Sequence, residues 1–368
     1  MSDKSSTYGS VGVDYETLDA AKRTALAQAL ATSPLLEGHG GRALDESRGE
    51  TAFVFEFDGR TMAMVLECLG TKSMIAREFQ EATGMDRWAD IAFDSVAAIA
   101  NDLCCVGALP LVVNAYFATG SGEWYDQGTR KDSLVAGWRT ACEVAGATWG
   151  GGESPTLPGL IHANEIDLAG CAIGYVPAGR SPILGDELAP GDVIVLIAST
   201  GLHANGASLA RKVARDLPEG LQTQLPSGRS LGDALLVPAP IYVELVRNLL
   251  AAEAPVTYLS HVTGHGLRKL MRARHDVSYV LDKLPDVPEV LSFLVERLSM
   301  DPREAYGTFN MGAGFAVYCR PEGVSKVMGS ATDAGLTATV AGRVEAGDKR
   351  VVLEPVAVEF GTDDLQLR

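Results

Sequence analysis

The chain has 368 residues, more than one hydrophobic core usually supports, so we expect two domains of comparable size. Apolar residues make up 46% and charged residues 21%, a balance typical of a globular protein rather than of extended disorder. The net charge of −16, without a long run of Lys or Arg, argues against binding to nucleic acid or to an anionic membrane, but not against binding one small phosphorylated molecule in a local pocket.

No segment reaches the roughly 18 uninterrupted apolar residues of a membrane-spanning helix, and the N-terminal MSDKSSTYGS lacks the apolar core of a signal peptide. We therefore expect a cytoplasmic protein. The six cysteines show no CxxC spacing, so neither a zinc site nor a disulfide framework is predicted, and we expect them to be reduced and mostly buried.

The first half of the chain predicts alternating strands and helices. TAFVFEF and TMAMVL flank Asp58-Gly59-Arg60, which is a hairpin signal. Apolar periodicity and turn residues predict strands over 51–57, 61–66, 109–118 and 167–176, helices over 73–82, 86–103 and 133–145, and a Gly-rich turn at 150–152.

The segment PAGRSPILGDELAPGD is dense in Pro, Gly and Asp and is the best candidate for a domain boundary, which divides 1–178 from 179–368. The second domain repeats the mixed α/β pattern. Its predicted elements are strands over 193–200 and near 277–281, 313–319 and 338–344, with helices over 206–215 and around 238–252.

Three acidic motifs lie beside apolar elements in the first half. Glu67-Cys68-Leu69-Gly70-Thr71-Lys72 follows a strand, so its backbone N–H groups, hydroxyl and ammonium can approach a phosphate, although an ordinary strand-to-helix turn is the simpler explanation of this motif alone. The motif is not a Walker A loop. Asn101-Asp102 near a helix end and Gly150-Gly151-Gly152-Glu153 add two more carboxylates, which together suggest a shared metal cluster.

Polar, Gly-rich turns follow apolar segments in the second half. Ser199-Thr200-Gly201-Leu202-His203-Ala204-Asn205-Gly206 separates a strand from a helix, and His203 is the histidine best placed for acid–base chemistry, or is a plain loop histidine. HVTGHG at 261–266 and TFNMG at 308–312 are turns or site loops. The GxGG at 38–41 follows no strand, so a Rossmann fold is rejected.

Taken in order, these motifs resemble aminoimidazole ribonucleotide synthetase, also called phosphoribosylformylglycinamidine cyclo-ligase, over nearly the whole chain. The matching blocks are YGSVGVD at 8–14, GTK at 70–72, Asn101-Asp102, YFATG at 116–120, GGE at 151–153, DLAG at 167–170, STGLHANG at 199–206, RKV at 211–213, LLVPAPIYV at 235–243, HVTGHG at 261–266 and TFNMG at 308–312.

The resemblance implies an α/β fold of the α+β type with two domains. It also implies a homodimer in which N-terminal strands of both subunits form a shared β-barrel, and a C-terminal mixed α/β domain with a Gly-rich substrate cleft. The implied reaction is ATP-dependent cyclisation of formylglycinamidine ribonucleotide in purine biosynthesis, with ATP and Mg²⁺ as cofactors, and a need for a monovalent cation is left open.

Carried over by position, the resemblance assigns a role to each matching residue. The implied metal ligands are Glu67, Asp102 and Glu153. Gly70, Thr71, Lys72, Asn101, Gly151 and Gly152 would join them in binding ATP. His203, Asn205 and Lys72 would act at the reacting centre, and His261, Thr263, Gly264, Asn310 and Gly312 would line the substrate side.

The chain departs from the family pattern at several positions. Glu67 stands where the DGVGTK motif of the family has Asp, Ala115 and Thr156 replace acidic residues, and His265 replaces a Gly. Two open alternatives are therefore another ATP-using relative, such as thiamine monophosphate kinase, and a non-catalytic nucleotide-binding paralogue. Selenophosphate synthetases are disfavoured, because they need a reactive Cys or selenocysteine near the N-terminus and the first Cys here is Cys68.

Overall fold

The computed structural model describes residues 15–365, so the YGSVGVD motif at 8–14 lies outside the described residues. Within them the chain forms two mixed sheets flanked by helices. The two-domain α/β expectation is confirmed, whereas the exact division after residue 178 stays a prediction. None of the helices in this part of the chain is long and apolar enough to cross a membrane.

The first sheet comprises β1 (Gly41–Leu44), β2 (Phe53–Phe57), β3 (Arg60–Cys68), β4 (Leu109–Thr119), β5 (Thr148–Glu153) and β6 (Ile166–Tyr175). Its helices are α1 (Tyr15–Thr32), α2 (Lys72–Thr83), α3 (Trp88–Cys104) and α4 (Arg130–Ala145). The strand order is β1-β2-β3-β6-β4-β5, and only β4 and β5 run parallel. α3 packs on β3, β6 and β4, and α4 packs on α3, so both helices cover one face.

The predicted hairpin between β2 and β3 is confirmed. Asp58 and Gly59 both have positive φ, at 49° and 71°, which a two-residue hairpin turn of the primed type requires. Side chains of β3 then alternate between the two faces, with Ala63 and Val65 buried under α3 and Met64 and Leu66 exposed on the other face.

The second sheet comprises β7 (Val193–Ala198), β8 (Val256–His261), β9 (Val277–Leu281), β10 (Ala313–Cys319), β11 (Ala338–Ala346), β12 (Arg350–Leu353) and β13 (Val358–Gly361). Its helices are α5 (Ala207–Asp216), α6 (Leu231–Leu235), α7 (Val243–Ala251), α8 (Glu289–Leu298), α9 (Pro302–Thr308) and α10 (Val324–Asp333). The strand order is β13-β12-β9-β11-β7-β10-β8, and only β9 and β12 run parallel.

Two sequence expectations about local structure are wrong. Residues 150–152 form part of strand β5 rather than a turn, because Gly152 lets β5 approach β4 so closely that a Cβ would collide with the carbonyl oxygen of Ala115. The helix predicted around 238–252 begins only at Val243, since Pro238 and Pro240 keep the preceding segment out of a helix.

Residues 236–242 cross the boundary between the two domains and are held there by buried side chains of the first domain. The ammonium of Lys72 and the carboxylate of Asp94 form a fully buried ion pair of 2.6 Å. Asp94 also accepts a hydrogen bond from the Ala239 N–H, and Lys72 donates one to the Val237 carbonyl oxygen. Burial raises the pKa of Asp94 and Lys72 lowers it, so this carboxylate depends on its partner.

Breaking this ion pair is expected to destabilise the protein strongly. Asp94→Asn leaves the Lys72 ammonium buried without a counter-charge, which typically costs about 3–5 kcal/mol. Arg42→Met removes only a solvent-exposed ion pair with Glu56 and should leave the stability nearly unchanged. Urea denaturation followed by circular dichroism measures both. Equal midpoints for the two variants would contradict the structural role of Asp94.

Candidate active site

A cavity of about 380 Å³ lies between the two domains. Its first-domain wall comes from the segment before β2, the end of β3 and the last turns of α3, and its second-domain wall from the loop before α5 and the residues that follow β8. The lining residues are Leu26, Gly49, Glu50, Thr51, Glu67, Cys68, Leu69, Ala98, Asp102, Ala204, Asn205, His261, Thr263, Lys269 and Arg272.

Glu67, Asp102 and His261 line the cavity, and Asp102 contacts the histidine. Asp102 Oδ1 lies 2.6 Å from His261 Nδ1, and both side chains are nearly buried. Burial and the negative charge of Asp102 raise the pKa of Glu67 to about 8. Burial also acts to raise the pKa of Asp102, but the hydrogen bond and electrostatic interaction with His261, together with Arg272 and Lys269, outweigh burial and hold that pKa below its usual range. At neutral pH the pair therefore carries about one negative charge and one proton.

His203 lies in the loop that leads into α5 and has a left-handed backbone, with φ of 59°. Its Nε2 accepts a hydrogen bond from the Thr200 N–H, so the neutral ring carries its proton on Nδ1. That Nδ1 is buried and has no hydrogen-bond partner among residues 15–365. Burial, with help from His261 and Lys72, holds the pKa of His203 well below its ordinary value, so the ring is a neutral donor.

Asn310 fixes the shape of the His203 loop. Its Oδ1 accepts hydrogen bonds from the Ser199 hydroxyl at 2.7 Å and from the Gly312 N–H, and its Nδ2 donates to the Gly201 carbonyl oxygen at 2.8 Å. Gly312 has φ of 95° and no room for a Cβ beside Asp286. Both residues therefore support the site from behind rather than line the cavity.

The structure brings together five of the residues predicted from sequence to form a site, and these are Glu67, Asp102, Asn205, His261 and Thr263. Gly264 follows Thr263 and is partly exposed.

Two residues with predicted phosphate or ATP roles are used elsewhere. Lys72 is fully buried against Asp94, and the amide of Asn101 bonds to the Pro240 carbonyl oxygen and the Tyr242 N–H. The Thr71 hydroxyl shares a hydrogen bond with the Ser208 hydroxyl at the start of α5. Gly70, which precedes Thr71, has a left-handed backbone with φ of 71°.

Glu153 does not join the other two carboxylates. It is exposed at the end of the edge strand β5, alongside Gly151 and Gly152, and pairs in register with Tyr116. The neighbours of Tyr116 in β4, Ala115 and Phe117, are buried on the face that α3 covers, so Glu153 projects from the opposite face. In residues 15–365 no three His, Cys, Asp or Glu side chains converge as a metal site.

The carboxylate pair alone fits one divalent cation. Mg²⁺ commonly uses one or two carboxylates and completes its shell with water and phosphate oxygens. Glu67 and Asp102 provide two, and burial together with the charge of Asp102 raises the pKa of Glu67, an effect that a bound cation would oppose.

Sequence reasoning missed Glu50, Lys269 and Arg272. Glu50 belongs to no motif and reaches the cavity because Tyr258 donates a hydrogen bond to it at 2.7 Å from 208 positions away in sequence. Lys269 and Arg272 did carry a signal, since four cations occur within residues 268–274 of a chain with net charge −16. His265, where the family has Gly, has φ of 73° in the same turn.

The chain matches two family models in sequence. Residues 49–176 match the N-terminal domain of AIR synthase related protein, and residues 189–354 match its C-terminal domain. The chain is similar to phosphoribosylformylglycinamidine cyclo-ligase of Methanothermobacter thermautotrophicus, with 34% identity over 88% of this chain and 90% of that one. The enzyme of that name from Anaeromyxobacter sp. (strain Fw109-5) is 38% identical over 77% and 81%.

Solved structures share the fold at lower identity. HypE in the HypE–HypF complex superimposes with a TM-score of 0.61 and 18% identity over 86% of this chain and 93% of that chain. ThiL in complex with AMPPCP and TMP superimposes with a TM-score of 0.56 and 15% identity over 85% of this chain and 90% of that chain. T. maritima PurL in complex with FGAR superimposes with a TM-score of 0.56 and 18% identity over 86% of this chain and 47% of that chain. At these identities the likeness concerns the fold.

Replacing Glu67 by Gln is expected to stabilise the metal-free protein more as pH rises. The folded chain holds the Glu67 proton up to about pH 8 and the unfolded chain only to its ordinary value of 4.5, so wild-type stability falls between these values and E67Q escapes that loss. In EDTA, we expect the melting temperature of E67Q to exceed that of wild type by a few degrees at pH 8 and by almost nothing at pH 5. Exposed Glu153→Gln is the control, and a pH-independent difference for E67Q would refute the assignment.

Proposed function

We propose that this chain, which belongs to the AIR synthase related family, converts formylglycinamidine ribonucleotide to aminoimidazole ribonucleotide with conversion of ATP to ADP and phosphate. The observation that carries the proposal is the 34% identity to the Methanothermobacter cyclo-ligase over 88% of this chain and 90% of that one. The interdomain cavity supports it, because it brings acidic, basic and imidazole groups of both domains around a space large enough for part of a nucleotide. The activity belongs to the cytoplasm, where nucleotides are made.

The chemistry has two steps. ATP first transfers its γ-phosphoryl group to the amide oxygen of the substrate, which turns a poor leaving group into a good one. A nitrogen of the amidine side then attacks the same carbon, the carbon–oxygen bond breaks, phosphate leaves with that oxygen, and the nitrogen loses a proton as the imidazole ring closes. The protein must therefore bind phosphoryl groups, stabilise negative charge on oxygen and exclude water.

His203 does not line the cavity itself, but it directly precedes Ala204 and Asn205, which do, and we propose that it stabilises that oxygen. Its buried Nδ1–H is a donor without a partner among the described residues, and the low pKa of the ring keeps it neutral, so it can donate a hydrogen bond but holds no charge to lose. Asn205 follows in the same loop and lines the cavity. A donor that is already fixed by Thr200 needs little reorganisation when charge develops, which is the main advantage of such groups.

Mg²⁺ is the proposed metal, held by Glu67 and Asp102, and when bound it would neutralise the charge of ATP phosphates. Glu153 projects from the other face of the first sheet, so it can contribute only at a surface where that face meets another subunit. Lys72, Asn101 and Thr71 are proposed to act indirectly, by holding the second-domain segments that surround the site.

A homodimer is proposed on the evidence of that outer face. Phe57, Met64, Leu66, Val112 and Ile173 are exposed apolar residues of the first sheet, and Leu66 keeps 71% of its accessible surface. The register places Met64 opposite Ile173 and Ile173 opposite Val112, so these side chains form one continuous surface. A surface of this kind is typical of an interface, and strands from two subunits packed face to face would bury it in a shared barrel.

The activity is tested with pure protein, ATP, Mg²⁺ and formylglycinamidine ribonucleotide, by measuring ADP and a diazotisable aminoimidazole. We expect His203→Ala to lower kcat by about 10²–10³-fold, the usual cost of one lost donor to a developing oxyanion. Because His203 stays neutral, its ionisation should not appear in the kcat profile between pH 6 and 9. His39→Ala, at an exposed position, should retain wild-type activity. Nucleotide binding without turnover by the wild type would instead favour a non-catalytic paralogue.

The dimer is tested by charge insertion. Leu66→Lys and Ile173→Lys are expected to convert a dimer into a folded monomer, because each places an ammonium in an apolar interface. Light scattering after size-exclusion chromatography gives the mass. Val144→Lys, at an exposed apolar position on α4, is the matched control and should remain dimeric. A wild-type monomer at micromolar concentration would contradict the proposal.

A further inference from the structure

The two walls of the interdomain cavity differ in charge. The first-domain wall is acidic, with Glu67 and Asp102 at its floor. The second-domain wall is basic, with Lys269 and Arg272 at or just beyond the 3-10 helix that spans residues 266–271. Cations near the carboxylates of a site are unusual for a pocket that only collects metal ions, because they compete with the metal for the same negative charge.

The cationic side chains of the basic wall are largely buried, and Arg272 is held by fixed contacts. Lys269 keeps only 9% of its accessible surface. The side chain of Arg272 is 12% exposed, its Nε donates a hydrogen bond to the Gly49 carbonyl oxygen at 3.0 Å, and the same atom lies 3.9 Å from Glu50 Oε2. Glu50 is itself fixed by the Tyr258 hydroxyl. The arginine is thus anchored across the domain boundary.

The positive charge of this wall reaches the carboxylates. Lys269 and Arg272 line the same cavity as Glu67 and Asp102. A ligand that enters the cavity therefore meets positive charge on one side and negative charge on the other. A phosphoryl group with an associated cation has that polarity, because its oxygens need cationic donors and its counter-ion needs carboxylates.

We propose that Lys269 and Arg272 receive the oxygens of a phosphoryl group in the interdomain cavity, and that these two residues set the affinity of this chain for phosphorylated ligands. The proposal deepens the proposed function and rests on it for the source of the phosphoryl group, which is either the β,γ-region of ATP or the 5′-phosphate of the ribonucleotide. Arg272 supplies a planar fork that matches two phosphate oxygens, and Lys269 supplies a compact charge.

Binding of inorganic pyrophosphate to the full chain, measured by titration calorimetry, tests the site without any reaction. Lys269→Met and Arg272→Met are each expected to weaken binding by at least about tenfold, in keeping with one lost charge-assisted hydrogen bond. Lys269→Arg keeps the charge and should bind within about threefold of the wild type. Lys283→Met, an exposed lysine away from the cavity, should bind like the wild type.

Competition between pyrophosphate and either ADP or ribose 5-phosphate identifies the source of the phosphoryl group. Displacement of pyrophosphate by ADP and not by ribose 5-phosphate assigns the site to the nucleotide, and the reverse assigns it to the substrate. In steady-state kinetics the same choice appears as a raised KM in Lys269→Met for ATP alone or for formylglycinamidine ribonucleotide alone.

Pyrophosphate affinities that agree within twofold among wild type, Lys269→Met and Arg272→Met would overturn the proposal. So would losses of equal size in Lys283→Met. If Lys269→Met does not fold, Arg272→Met and the retention of binding by Lys269→Arg decide the question. A protein that binds pyrophosphate through these residues but does not cyclise the ribonucleotide would refute the proposed function and leave the phosphoryl site standing.

Discussion

The structure depends on a line of buried polar side chains along α3. Asn101 and Asp102 lie seven and eight positions after Asp94, which places all three on one face of the helix. Most of the other buried positions of α3 are apolar and pack on the first sheet. Buried polar groups are costly unless paired, and each of these three finds a partner in the second domain: the Ala239 N–H, the backbone of residues 240–242, and His261. Docking of the two domains therefore provides hydrogen-bond partners for the buried polar side chains of α3.

Domain docking and site assembly are consequently one event. Asp102 follows Asn101 directly, so the amide that fixes the second-domain backbone also fixes where the Asp102 carboxylate meets His261. The same backbone segment accepts a hydrogen bond from the Thr200 hydroxyl, and Thr200 in turn holds the His203 ring. A displacement of α3 would reach the His203 ring through three hydrogen bonds, which link Asn101 to residues 236–242, that segment to Thr200, and Thr200 to His203.

Local patterns in the sequence were sufficient for most elements, because alternation in β3 and helical spacing in α3 reflect burial on one side. Local patterns gave a wrong prediction where pairing with a distant strand determines the conformation. Residues 150–152 look like a turn, but their lack of side chains lets β5 pair closely with β4. The site follows the same rule. Motifs identified Glu67, Asp102 and His261, whereas the burial of Lys72 against Asp94 depends on a segment 165 positions away. Arg272 enters the cavity through a contact with Gly49 that no local pattern encodes.

The position of Ala115 explains why a departure from the family pattern is compatible with this site. Ala115 and Glu67 are both in register with Gly170, so a carboxylate at 115 would lie on the same inner face, about 10 Å from Glu67 across two strand spacings. Ile99 and Trp138 fill the space over Gly170, and a second carboxylate beside this apolar packing would need a cation of its own. With Ala115 the inner face stays apolar and the negative charge is confined to Glu67 and Asp102. The missing carboxylate and the two cations opposite act in the same direction, because both reduce the repulsion that a phosphoryl group meets in the cavity.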